Sequence, residues 1–136
     1  ASRTVDEADE LERRAWALHS RPDQFAAAAR LHVRAARLRS AGDRSAVESL
    51  TLASRLFWYA GQRDQALGAA AEAAERALAM GDVVTAAHRF VDAAIVAADL
   101  RDLRTARSAA ERARLLIASP HISDEERAGI QARIRE

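Results

Sequence analysis

Four histidines, His19, His32, His88 and His121, are the side chains of this sequence whose ordinary titration lies nearest neutral pH. None stands three or four residues from another and no His-Glu-x-x-His run is present, so each reads as a surface or half-buried histidine rather than a metal ligand. Cysteine is absent, which removes thiol catalysis, zinc–cysteine sites and disulfides, and leaves cytoplasm and periplasm equally open. A Gly-rich phosphate loop and a serine in a nucleophile elbow are missing as well. The expectation is a non-enzyme with no cofactor, metal or nucleotide requirement.

Two clusters carry more information. In Phe57-Trp58-Tyr59, consecutive helical residues point about 100° apart, so the three rings cannot share one core and at least one should be partly exposed. Residues 13–44 hold eight arginines against two aspartates, and Arg30, Arg34 and Arg37 fall on one helical stripe where like charges repel. Alone, that stripe suggests an anion-binding face. The preceding segment carries Asp6, Glu7, Asp9, Glu10 and Glu12, however, and an antiparallel hairpin turning near Arg21 would set those acids beside the arginines. A charge match inside the first hairpin is therefore preferred to a phosphate or RNA site, and with a formal charge of only +1 no nucleic-acid partner is expected.

The elements that position these residues follow from composition and punctuation. The chain has 136 residues, enough for one domain with a real core. Hydrophobic residues make up 49% and charged residues 30%, with two prolines and five glycines, which excludes a disordered or collagen-like chain. All 21 basic residues are arginine and asparagine is missing, a bias explained more simply by GC-rich coding than by chemistry. No apolar run reaches the roughly 20 residues of a membrane span, so no membrane insertion is expected. The start at Ala1 fits a mature chain after signal cleavage and an excised domain equally.

Breaks fall about every 20 residues, at Arg21-Pro22-Asp23, Ala41-Gly42-Asp43, Ala60-Gly61-Gln62, Met80-Gly81-Asp82, Leu100-Arg101-Asp102 and Ser119-Pro120. Glycine just before a polar residue marks a helix ending on a left-handed residue and its successor starting on a cap. Thr4 to Glu7 and Ser123 to Glu126 read as capping boxes. The spacing predicts seven helices, at 4–19, 22–40, 43–59, 63–79, 83–99, 102–118 and 123–135, and no strand.

A 40-residue register links the middle helices. Leu50, Ala53, Ser54 and Phe57 align with Phe90, Ala93, Ala94 and Ala97, while Ala66, Ala70 and Ala73 align with Ala106, Ala110 and Ala113. The pattern resembles the tetratricopeptide repeat, whose first helix carries a large residue, a large-small pair and an aromatic, and whose second carries spaced small residues. The nine-residue step of that family recurs from Phe57 to Ala66 and from Ala97 to Ala106. The repeat here is 40 residues rather than 34, alanine replaces several larger signature residues, and the proline that normally follows the second helix appears only as Pro120.

The resemblance implies an all-α fold, a right-handed stack of antiparallel helical hairpins. Residues 1–42 would form a diverged first hairpin, 43–80 and 81–120 two repeats, and 121–136 a C-terminal capping helix. It places Phe57 in the packing within a repeat and Glu48, Thr51, Arg55, Trp58 and Tyr59 on a concave groove, joined by His88, Val91, Ile95, Ala98 and Asp99 from the next unit. Such a groove would hold a protein or peptide segment. The alternative for Trp58 and Tyr59 is that they fill space against the neighbouring hairpin. The lysine and asparagine clamp with which some family members hold a C-terminal carboxylate is absent. Two further functions stay open: a structural subunit that self-associates or docks on a larger assembly, and a sensor with an enclosed pocket for a small ligand.

Overall fold

The computed structural model describes residues 3–135. Among them the chain forms seven α-helices and no strand: α1 (Arg3–Ala17), α2 (Phe25–Leu38), α3 (Arg44–Tyr59), α4 (Arg63–Ala79), α5 (Val83–Asp99), α6 (Leu103–Ile117) and α7 (Asp124–Arg135). Consecutive helices from α1 to α6 pack on one another in chain order, and α7 folds back on α5 and α6. The result is an all-helical stack.

Three of the turns are one structure repeated. Gly61, Gly81 and Arg101 take left-handed backbone angles, with φ of 78°, 78° and 63°. The residue after each donates its amide to the carbonyl five positions back: Gln62 to Phe57 at 2.8 Å, Asp82 to Ala77 at 3.0 Å and Asp102 to Ala97 at 2.9 Å. This helix-ending motif satisfies carbonyls that the last turn would otherwise leave open. The chain then restarts at once, because Asp82 and Asp102 accept the amides of Thr85 and Thr105 as N-caps of α5 and α6. Gly42 departs from the expected pattern. It is not left-handed, since α2 already ends at Leu38 and Arg39 is extended, with ψ at 153°. Asp43 still caps α3, accepting from Ser45 at 2.9 Å.

The first hairpin also departs from expectation. Helix α1 stops at Ala17, and Pro22 opens a short 3-10 turn, Pro22–Gln24, ahead of α2. A proline is tolerated at a helix start because its missing amide would have no partner there. At the other boundary α1 reaches back to Arg3, so Thr4 lies inside the helix rather than at its cap. The box at Ser123 forms as read: Ser123 Oγ accepts from the Glu126 amide at 3.1 Å, and Glu126 Oε1 accepts from the Ser123 amide at 3.1 Å. Arg127 fastens α7 beneath α6 by donating to the carbonyls of Ile117, Ser119 and Ile122.

Alanine is what lets the helices approach. Ala28, Ala53, Ala66, Ala73, Ala86 and Ala113 are all fully buried, and the larger core side chains Leu50, Phe90, Val91, Ile117 and Ile130 fill the space between their helices. The 40-residue register holds through Leu50/Phe90, Ala53/Ala93, Phe57/Ala97 and Ala73/Ala113, all buried. It loosens at Ala106 and Ala110, which are half-exposed where their partners Ala66 and Ala70 are buried, because α6 has only α5 and the short α7 to pack against.

Candidate functional site

Helix α3 turns Leu50, Ala53 and Phe57 inward, which leaves Glu48, Thr51, Arg55, Trp58 and Tyr59 on the side that meets α5 or faces solvent. Thr51, Arg55, Trp58 and Tyr59 border a cleft of about 150 Å³ closed on the other side by Asp92, Ile95 and Val96 of α5. Thr51 and Arg55 also border a second cleft of about 390 Å³, with Glu48, Met80, Asp82 and Arg89. Ile95 borders a third of about 730 Å³ toward α6 and α7, among Ala106, Arg107, Arg114 and Ile134. Shared walls make these one run along α3 and α5.

The aromatic residues divide as their angles require. Phe57 is buried, Tyr59 is 71% exposed, and Trp58 is half-buried with one face on the core. The Arg63 guanidinium lies 4.6 Å over the Trp58 ring and is itself ion-paired with Asp99. Trp58 therefore both packs and lines the cleft, and Tyr59 stands exposed at its rim, with Phe25 tilted against it at 6.3 Å between ring centres.

Four expected groove residues are placed differently. Val91 is 1% exposed and belongs to the main core with Phe90 and Ala87, so it only backs the third cleft from beneath. His88 faces α7, where Arg133 Nη1 meets its Nδ1 at 2.8 Å. Burial and the Arg133 and Arg89 guanidinia hold the His88 imidazole below its ordinary pKa. Asp99 is taken up by Arg63, and Ala98 is exposed without bordering the clefts. In their place the structure brings in Asp92, which pairs with both Arg89 at 2.9 Å and Arg133. Arg89 in turn donates to the Thr51 hydroxyl at 3.4 Å. The repeat register could have flagged Arg89 and Asp92, which sit beside the aligned Phe90. Arg133 lies in α7, outside the register, and had no signal.

The histidines hold the main surprise. His19 and His32, far apart in sequence, meet Nε2 to Nε2 at 2.8 Å, and His32 is completely buried. His32 Nδ1 donates to Glu12 at 2.9 Å, since a carboxylate only accepts, and Ser49 donates to the other Glu12 oxygen at 2.6 Å. Trp16 stacks on His19 with ring centres 4.1 Å apart. Burial opposes ionisation of Glu12, but the hydrogen bonds of His32 and Ser49 and the nearby Arg39 outweigh it and leave the carboxyl below its usual range. Burial, then the neighbouring His32, lowers the His19 imidazole. This network ties α1, α2 and α3 together. Among the described residues no group of three or more histidine, cysteine, aspartate or glutamate side chains is arranged to hold a metal ion.

The expected charge match inside the first hairpin forms in part: among the described residues Asp9 pairs at 3.0 Å with Arg39, just past the end of α2, and Glu12 pairs with His32, while Glu10 pairs within its own helix. Helix α2 turns Leu31 and Ala35 toward α1 and Ala28, Ala29 and Ala36 toward α3 and its neighbours, which directs the Arg30–Arg34–Arg37 stripe toward α4 instead. Helices long and apolar enough to cross a membrane are lacking among the described residues. Compared with protein families, curated proteins and solved structures, the chain matches none.

Proposed function

We propose that this chain is a non-catalytic, tetratricopeptide-like scaffold module that binds a protein or peptide segment along the α3/α5 face. The observation that carries the reading is the continuity of the three clefts through Thr51, Arg55 and Ile95, with Tyr59 exposed at their middle and Trp58 forming one wall. An exposed aromatic beside an arginine and an apolar Ile95 is the composition of an interface hot spot. Charges alternate along the run, from Glu48 and Arg55 to Asp92 and Arg133, and would set the direction and register of a bound segment more than its affinity. Trp58 serves as a rigid wall, held by Arg63, and Tyr59 as the contacting ring.

The reading is tested by selecting peptides from a displayed random library on the wild-type protein and measuring them against Tyr59→Ala and Arg55→Glu. Selected peptides should lose at least about tenfold in affinity on both variants. Peptides indifferent to both would remove the α3/α5 face from consideration.

A second reading, a structural subunit that self-associates or docks on a larger assembly through its helical faces, is favoured in its self-associating form by Leu103 and Leu115 of α6, which are 55% and 67% exposed. Light scattering across a concentration series separates the two, since a monomer throughout argues against self-assembly through α6.

A further inference from the structure

A second groove lies between α2 and α4, with α3 as its floor. It has a volume of about 450 Å³; Val33, Leu50, Phe57 and Ala69 form its base, and Arg30, Arg34 and Arg37 line the α2 wall. Gly68 and Glu72 stand on the α4 wall. Arg37 reaches across to Glu72 at 3.3 Å, while Arg30 and Arg34 have no ion-pair partner among the described residues.

Two features of this groove work against the stability of the free protein. Arg30 and Arg34 are four residues apart on one helix, where like charges repel. Gly68 lies inside α4, where glycine is destabilising relative to alanine, and nothing lies within 4 Å of a Cβ placed there. Packing therefore does not require the glycine. Local rules broken together on one surface are what a binding site leaves behind, and both are relieved by one occupant: a segment that brings carboxylates to the arginines and apolar side chains into the space over Gly68.

The spacing selects the shape of that occupant. Along α2, Arg30 and Arg34 are about 6 Å apart and Arg37 about 4.5 Å further on, the intervals a second α-helix offers at i, i+4 and i+7. An extended segment repeats its same-face side chains at about 6.5–7 Å and falls out of step within three contacts. We infer that the α2/α4 groove docks an acidic amphipathic helix of a partner protein, with its apolar stripe over Val33 and Gly68 and its carboxylates on Arg30 and Arg34. This surface is distinct from the α3/α5 run and is occupied independently of it.

The test uses a fluorescein-labelled helical peptide of about 16 residues, with leucines along one stripe and glutamates flanking it at i, i+4 and i+7. Binding is followed by anisotropy at low ionic strength, where exposed charges act at full reach. Saturable binding is expected, weakened at least about tenfold by Arg30→Glu/Arg34→Glu. Gly68→Leu should weaken it as strongly while leaving the Tm equal to or above that of the wild type, and Tyr59→Ala should leave it unchanged. No saturable binding, or equal binding of a scrambled peptide of the same composition, overturns the inference. So does full binding by Gly68→Leu alongside loss in the arginine variant, which would mark a general polyanion surface of the kind a nucleic acid uses.

Discussion

His19 and His32 touch through their Nε2 atoms at 2.8 Å, and a contact of that length has room for one hydrogen, not two. His32 already donates through Nδ1 to Glu12, so the pair spans the space between α1 and α2 only while at least one facing nitrogen is unprotonated. The sequence places these residues in two helices with nothing to mark them as partners. Their meeting depends on how α2 turns against α1.

Stability should therefore fall on mild acidification. His19 and His88 are both held below their ordinary value of about 6.5 in the folded chain, chiefly by burial. As pH drops through that value, the unfolded chain binds the proton first, which favours unfolding. Their contribution is complete above about pH 6.5 and is lost as pH falls through the lower folded values; Glu12, lowered as well, adds a loss at more acid pH. Thermal melts at about pH 7.5 and pH 5 should show a lower Tm at pH 5, and His19→Gln/His88→Gln should flatten most of that difference. A Tm independent of pH over this range would mean that neither imidazole is held neutral by the fold.

Arg101 occupies the left-handed position that Gly61 and Gly81 fill in the preceding turns. A side chain there is strained by about 1 kcal/mol, so Arg101→Gly should raise stability by up to that amount, and Gly61→Ala or Gly81→Ala should lower it by about 1 kcal/mol or more. Urea unfolding of the three variants checks the sign of each.

Ala66 is buried where α4 meets α3, and its carbonyl accepts the Ser54 hydroxyl at 2.8 Å, whereas Ala106 borders an open cleft. Ala66→Leu should overpack and cost about 1–3 kcal/mol. Ala106→Leu should stay within about 0.5 kcal/mol. The sequence register alone makes these positions equivalent; chemical denaturation of both variants shows whether the end of the stack has released one of them.

Phe57→Ala should cost about 3–5 kcal/mol, because the ring is enclosed by α3, α4 and their neighbours. Tyr59→Ala should change stability by no more than about 0.5 kcal/mol. Melting both variants separates the packing residue from the exposed one, and Trp58→Ala should fall between them because its ring is half in the core.

What was legible in the sequence was local. Gly61, Gly81 and the aspartate caps announce the turns, and alanine spacing announces which faces close, since both depend on residues within one or two helical turns. Pro22 shortened the first helix pair in a way its position before α2 partly signals. The wrong expectations concern direction across helices. Val91 and Ile95 are four apart on α5 and border the same cleft, yet Val91 is held in the core and Ile95 reaches solvent. Nearness in sequence points the arginines of α2 at α1, but Leu31 and Ala35 take that face and send Arg30 and Arg34 the other way. Such rotations are set by tertiary packing, which no single helix encodes.

The central claim, recognition along the α3/α5 face, is tested most directly by the emission of Trp58 itself. In a Trp16→Phe background it is the only tryptophan, and its half-buried ring should be partly open to an aqueous quencher in the free protein. Peptides selected on the wild-type protein should shift its emission and shield it from the quencher, and Tyr59→Ala should weaken both effects with an unchanged Tm. Selected peptides that bind tightly while Trp58 emission and quenching stay as in the free protein would contradict the account and place recognition on another face.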